Sequence, residues 1–370
     1  MNLTTLLFFH SKPLTFITVL LTFVFSCNNS NKSSTTGNVN RPKQQKIFAL
    51  ELPFTDNVFQ INDTVNFSIR NKNKTSHVDS TIVYVEGEII RKEAKSPLNF
   101  SSVSDFNKVG RQNLRIRIFY NDSLSQSLTT RITLLSDLPP HDLKFEIKRS
   151  ITHNTASYTQ GLFYHKGFLY EGTGKEGRSE IQKINPSDGS IVQERKLEPE
   201  LFGEGITVYN NQIFQLTYRK KVGFVYDLGS FERIREFDLQ TAEGWGLTTD
   251  GDHLIVSDGS SLLYFYHPEY FTQVNQLDVC DQRSLNSSLN ELEYINGEIW
   301  ANVYGKKHIL RIDAATGKVT GVLDLSSIFP KDIPDDYEHV LNGIAYNPDQ
   351  QTLFVTGKFW PVMYEIKVLE

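Results

Sequence analysis

The sequence predicts an all-β chain, a five-bladed β-propeller preceded by a small, immunoglobulin-like β-sandwich. Three observations lead there. Aromatics make up 12% of the 370 residues, with 25 Phe and 16 Tyr against 2 Met, a balance that suits pleated surfaces. Short period-two runs separated by turns recur before residue 139. Beyond residue 143 the chain repeats itself at intervals of 41 to 52 residues, the length of a four-stranded propeller blade. The length suits two or three units. The net charge of −5 supplies no basic field for nucleic acid.

Residues 1–26 read as a lipoprotein signal peptide. The apolar run from Leu14 to Ser26 follows Lys12 and is shorter than the ~20 residues of a membrane-spanning helix. Val24-Phe25-Ser26-Cys27 resembles a bacterial lipoprotein cleavage box, with Phe25 bulkier than is usual there. Cleavage before Cys27 would leave that cysteine to carry lipid; a plain signal peptide or an uncleaved anchor is the alternative. Residues 27–46 are rich in Asn, Ser, Thr and Gly and read as a flexible tether. The expected location is the bacterial cell envelope, lipid-anchored, facing the periplasm or the cell surface. Cys280 is the other cysteine, so no intrachain disulfide is expected in the folded part.

Residues 47–138 hold alternating runs at 59–61, 65–69, 80–85, 114–120 and 128–134, as in a β-sandwich. They contain no titratable cluster, so a spacer or docking module is expected. Pro139-Pro140 ends the unit, since neither proline can donate to a sheet ladder.

Residues 141–370 are expected to form the propeller. Five segments open alike, at Gln160-Gly161-Leu162, Glu204-Gly205-Ile206, Trp245-Gly246-Leu247, Asn290-Glu291-Leu292 and Asn342-Gly343-Ile344. Each continues through a turn into a second apolar run. The last repeat has room for about three strands, and residues 143–148 can supply the outer strand that closes the ring. Superposing the repeats puts Gln160, Glu204, Trp245, Asn290 and Asn342 at one mouth of the central channel. Superposing the second strands aligns Tyr218, Tyr304 and Lys358 with Thr173 and Gly259, beside the same mouth. The result is a pocket with one carboxylate, one ammonium, amides and an aromatic wall. Phe202 and Trp245 would desolvate Glu204 and raise its pKa, while Lys358 would lower it, which suits a proton carrier.

Six motifs, Tyr158-Thr159-Gln160-Gly161-Leu162, Phe202-Gly203-Glu204-Gly205, Glu243-Gly244-Trp245-Gly246-Leu247, Asn290-Glu291-Leu292-Glu293-Tyr294, Leu341-Asn342-Gly343-Ile344-Ala345 and Thr356-Gly357-Lys358-Phe359-Trp360-Pro361, resemble the plant and bacterial type of glutaminyl-peptide cyclotransferase, in order across about 145–368. The resemblance implies a five-bladed propeller that turns the N-terminal glutamine of a peptide or protein into pyroglutamate and releases ammonia, with no cofactor and no catalytic metal. It implies Glu204 as the catalytic glutamate, with Tyr158, Gln160, Phe202, Trp245, Asn290 and Lys358 in the pocket. Tyr218 and Tyr304 stand where the family is expected to carry Trp, a change that bears on substrate preference. In the implied mechanism Glu204 takes the α-ammonium proton and passes it to the departing ammonia. Lys358, with Gln160 or Asn290, stabilises the oxyanion, while Trp245, Tyr218 and Tyr304 pack the methylenes. A monomer is expected.

Blander roles exist for the same residues. Glu204 could cap a strand mouth, Lys358 could be a solvated surface residue, Trp245 could be core and Asn342 could serve a turn. Glu171, Glu291 and Glu293 read as ladder-facing or supporting groups rather than catalytic ones, and the histidines of the repeats show no metal-ligand spacing. Two rival classes share the pattern. A calcium-dependent lactonase-type propeller would use Glu204, Asn290, Asn342 and Asp258 as oxygen ligands, although Lys358 would repel the ion. A non-catalytic interaction propeller would use the sandwich as a second docking arm.

Overall fold

The computed structural model describes residues 46–52, 57–94, 99–103 and 108–369. The expected signal segment, Cys27 and the tether up to residue 45 lie outside these residues. The described chain is all-β, with one short 3-10 turn at Ser326–Ile328.

Two sheets form the N-terminal part. One comprises β1 (Phe48–Glu51), β3 (Thr64–Asn71) and β6 (Asn99–Val103), in the order β1-β3-β6. The other comprises β2 (Val58–Gln60), β4 (Val78–Val85), β5 (Glu88–Ala94), β7 (Gly110–Tyr120) and β8 (Leu124–Leu135), in the order β2-β8-β7-β4-β5. Alternation along β7 buries Leu114, Ile116 and Ile118 while Arg115 and Arg117 face solvent, the pattern of a half-buried antiparallel strand. With Phe48, Phe67, Ile69 and Leu134 they build one core. The strands β1, β5 and β6 have no counterpart in the runs predicted from sequence. In β5, Glu88-Ile89-Ile90-Arg91-Lys92-Glu93-Ala94 is an edge strand with no buried face, so it carries no period-two signal.

The repeated region begins with β9 (His141–Thr152), after Pro139-Pro140. Three four-stranded antiparallel sheets follow in simple sequence order. They are β10 (Thr159–His165) to β13 (Ile191–Lys196), β14 (Gly203–Tyr209) to β17 (Arg233–Asp238), and β18 (Leu247–Thr249) to β21 (Gln273–Asp278), with β11 (Phe168–Thr173), β15 (Gln212–Thr217), β16 (Val222–Asp227), β19 (Leu254–Ser257) and β20 (Leu262–Tyr266) among their inner members. The remaining strands join in one eight-stranded sheet. Its first half is β22 (Leu289–Ile295), β23 (Glu298–Val303), β24 (His308–Asp313) and β25 (Val319–Asp324). Its second half is β9, β28 (Val362–Leu369), β27 (Thr352–Gly357) and β26 (Leu341–Asn347). Thus β9 pairs antiparallel with β28, as the expected closing strand should. Its other edge pairs parallel with β25, through Gly321↔His141 to Leu323↔Leu143, a contact that sequence did not suggest.

The first strands β10, β14, β18, β22 and β26 are neighbours in turn, and β26 meets β10 again. Glycine permits this close approach. A Cβ on Gly161 would lie 2.4 Å from the Ile206 nitrogen, and one on Gly246 would lie 1.9 Å from the Asn290 carbonyl oxygen.

Candidate active site

Four of the five first strands carry a register shift near their start, between Thr159 and Gly161, Gly203 and Ile206, Leu289 and Leu292, and Leu341 and Ile344. A bulge re-aims the side chain it holds. Gln160, Glu204, Asn290 and Asn342 sit in these four bulges, and all four are buried. The third sheet differs, because β18 begins only at Leu247 and leaves Trp245 and Gly246 ahead of the strand. The Trp245 indole instead packs against Gly259, where a Cβ would lie 2.7 Å from the ring.

Glu204 is 3% exposed. Its Oε1 accepts a hydrogen bond from Gln160 Nε2 at 3.0 Å. Asn342 Nδ2 donates to the Thr159 carbonyl at 2.8 Å and, more weakly, to Gln160 Oε1 at 3.4 Å. The Asn342–Gln160–Glu204 chain therefore fixes which way each amide points. Burial pushes the Glu204 carboxyl well above its usual range; Lys358 pulls it back and Glu243 adds to the rise.

Lys358 is 2% exposed. Its Nζ lies 4.4 Å from the Tyr158 ring centre and 5.2 Å from that of Tyr304, with no hydrogen bond or ion pair to the described residues. An ammonium held by two rings keeps its donors free. Desolvation lowers its pKa to about 8, against the pull of Glu204. Asn290 likewise makes no side-chain hydrogen bond to the described residues, so its amide is available to a ligand.

The wall is aromatic. Tyr158 meets Phe202 edge-on at 6.0 Å, Phe202 meets Tyr218 at 5.6 Å, and Trp245 meets Tyr304 edge-on at 5.7 Å. The structure thus brings together Glu204, Gln160, Lys358, Tyr158, Phe202, Tyr218, Tyr304 and Asn342 through direct contacts, and Trp245 through Tyr304.

One register assignment is corrected. The backbone N–H groups of Tyr218, Tyr304 and Lys358 donate to the carbonyls of Phe202, Ser288 and Val340, and the first repeat makes this bond from Gly174 to Tyr158. Gly174, and not Thr173, is therefore the equivalent position. No side chain would fit there, since a Cβ on Gly174 would lie 2.4 Å from the Phe202 ring and 3.0 Å from Gln160 Cγ. The turns of the first two repeats are equally long, with His165 paired to Phe168 and Tyr209 to Gln212, so Phe168 matches Gln212 and not Ile213.

The same superposition contains a residue that sequence reasoning passed over. Glu243 stands two residues before Trp245, as Tyr158 and Phe202 stand before Gln160 and Glu204. It accepts hydrogen bonds from Trp245 Nε1 at 3.0 Å and Arg219 Nε at 2.8 Å, so it orients the indole. Glu291, next to Asn290 on β22, is fully buried. Its two oxygens accept from the backbone N–H groups of Leu162 at 3.1 Å and Ile344 at 2.8 Å, tying three first strands together. Burial, with Glu293 nearby, holds its carboxyl well above the usual range. Glu171 is also buried and serves Thr159 Oγ1 at 2.7 Å and His153 Nε2 at 3.2 Å. Among the described residues, the group whose donors could together hold a metal ion is His77, Asp79 and Asp122, in the N-terminal sheets.

Comparisons with known proteins point the same way. The family model described as glutamine cyclotransferase matches residues 123–368, beginning at the last strand of the N-terminal sheets. A glutaminyl-peptide cyclotransferase of Arabidopsis thaliana is 37% identical over 235 residues, covering 63% of this chain and 73% of that protein. The crystal structure of Myxococcus xanthus glutaminyl cyclase is 32% identical, superposes with a TM-score of 0.58, and covers 62% of this chain and 98% of that one. The buried Glu204 pocket lies wholly within the matched segment, and the chain belongs to the glutamine cyclotransferase family.

Proposed function

We propose that this chain is a glutaminyl-peptide cyclotransferase whose chemistry is carried by Glu204 at the mouth of a five-bladed propeller. The propeller reading rests on the cyclic contact of the five first strands and on β9 serving as outer strand to β28. The two N-terminal sheets are read as an immunoglobulin-like sandwich over 47–138, with the propeller over 141–370. The sequence of 1–27 supports a lipoprotein signal and a lipid on Cys27, which would hold a monomeric enzyme at the bacterial cell envelope.

The observation that carries the functional reading is the buried Glu204 close to a buried Lys358 that is held between aromatic rings with its donors free. An N-terminal glutamine needs that combination. Its α-nitrogen attacks its own side-chain carbonyl carbon, forming the C–N bond of a five-membered ring; the bond to the amide nitrogen then breaks and ammonia leaves. Because attack is intramolecular, the pocket mainly selects the folded rotamer. An arriving α-ammonium stabilises the Glu204 carboxylate, so the carboxyl ionises when substrate binds. It then accepts one proton from that ammonium and returns it to the departing nitrogen, and as the carbonyl re-forms it takes the second proton from the ring nitrogen, which ammonia carries away as ammonium. Lys358 and Asn290 donate to the oxygen as charge develops. Gln160 has one of its two N–H bonds committed to Glu204, so its first duty is to orient the carboxyl. Phe202, Tyr218, Trp245 and Tyr304 pack the methylenes.

Glu204→Gln tests this. Ammonia release from a Gln-initiated dipeptide should fall by ~10²–10⁴, with the melting curve unchanged. No release by the unaltered protein from several Gln-peptides would refute the assignment.

A further inference from the structure

The aromatic wall does not stop at the pocket. Trp245 contacts Tyr304, and Tyr304 stacks on Tyr337 with centroids 6.2 Å apart and planes 22° from parallel. Tyr337 is 73% exposed. A large ring that open to water would ordinarily lie in a loose loop, yet this one is fixed along one face, at one edge and through its own backbone. Its carbonyl accepts from Tyr304 Oη at 3.0 Å. Its edge rests on Gly305, where a Cβ would lie 3.4 Å from Tyr337 Cε1. Asp336 Oδ1 accepts from the backbone N–H of Glu338 at 2.9 Å and of His339 at 3.1 Å. Glu338 then bridges to Lys175 Nζ at 2.6 Å, and that ammonium lies 4.2 Å from the ring centre of Tyr158. The loop is thus fastened to both sides of the pocket mouth, with the ring presented outward.

A glutamine whose α-amine reaches Glu204 must direct the rest of its peptide away from the buried floor and past this rim. We propose that Tyr337 is the contact surface for the residue following the glutamine, and that the enzyme favours an aromatic side chain there. This rests on the cyclotransferase reading above. A fixed ring loses little freedom on binding, so stacking is retained as affinity.

The test compares Gln-Phe-amide with Gln-Gly-amide by ammonia release, in the unaltered protein and in Tyr337→Ala and Tyr337→Phe. The unaltered enzyme should prefer Gln-Phe-amide by about three- to tenfold in kcat/KM. Tyr337→Ala should abolish the preference while leaving Gln-Gly-amide unchanged, and Tyr337→Phe should keep it. Equal turnover of both peptides by the unaltered enzyme, or an equal loss on both in Tyr337→Ala, would overturn the proposal while the cyclotransferase reading stands. No ammonia from either peptide would instead remove that reading, and this inference with it.

Discussion

Lys358 is a buried ammonium whose close neighbours are two rings. Burial favours its neutral form, and its pKa falls to about 8. If the ammonium stabilises the oxyanion, activity is complete below that value and is lost as pH rises through it. The substrate's α-amine titrates near ~7.7–8.0 as well, so one profile does not separate the two. Lys358→Arg does, because a guanidinium stays charged throughout. The alkaline limb of kcat/KM assigned to Lys358 should move upward in Lys358→Arg, with a lower plateau from altered geometry; identical limbs in both proteins would remove Lys358 from the mechanism. Glu204 and its ring partners were legible in the sequence because each repeat offers one residue at one equivalent place. Glu243 was equally legible, two positions earlier, but a charged residue at an aromatic position hides from a search for rings. Tyr337 was not legible, since it lies in an irregular loop outside the repeat and acquires its role only through Tyr304.

At the level of strands, the first strands hold their spacing because backbone meets backbone. Gly205 N donates to the Trp245 carbonyl at 2.7 Å. A Cβ there would lie 2.5 Å from Leu247 N and 2.6 Å from Trp245 O. Neither neighbour is a flexible side-chain end, so Gly205→Ala must push β14 and β18 apart. The expected cost is at or above the upper part of the ~1–3 kcal/mol typical of overpacking, read as a fall in the urea midpoint, together with lost activity as Glu204 shifts. An unchanged midpoint would mean that the strands are less tightly set than described. The repeat period and the hairpin turns made most of these strands readable in advance. What escaped were β1, β5 and β6, of which β5 carries charges on both faces and so shows no alternation.

Across the described molecule, the N-terminal sheets are joined to the repeats by more than a linker. Cys280 packs into the core of those sheets. Arg111 on β7 pairs with Asp278 on β21 through Nη2–Oδ1 at 2.7 Å and Nε–Oδ2 at 3.0 Å, and its backbone N–H also donates to Oδ2 at 2.9 Å. Burial works against the Asp278 charge, yet Arg111 and Ser261 hold its carboxyl below the usual range. Arg111→Ala strands a nearly buried carboxylate, which costs toward the lower end of ~3–5 kcal/mol because the arginine is partly exposed. Calorimetry should show the main transition falling. If only a separate minor transition moves, the two parts unfold independently and the N-terminal sheets are the spacer or docking module that the sequence suggested. Sequence could not show this latch, since its members lie far apart along the chain and each has an ordinary surface composition.

The strand β9 carries a consequence for how the protein is made. It opens the repeated region, yet its partner β28 is the last of the described strands, with Lys144 set against Leu369. While the chain is being synthesised, β9 emerges before all the other strands of the repeats and waits for β28, from which those strands separate it. Pairing over such a separation is slow. A product truncated before Val362 would leave edges of β9 and β27 bare, open to other chains and to proteases. Completion of the sheet therefore distinguishes molecules that have made β28 from those interrupted before it, ahead of any substrate.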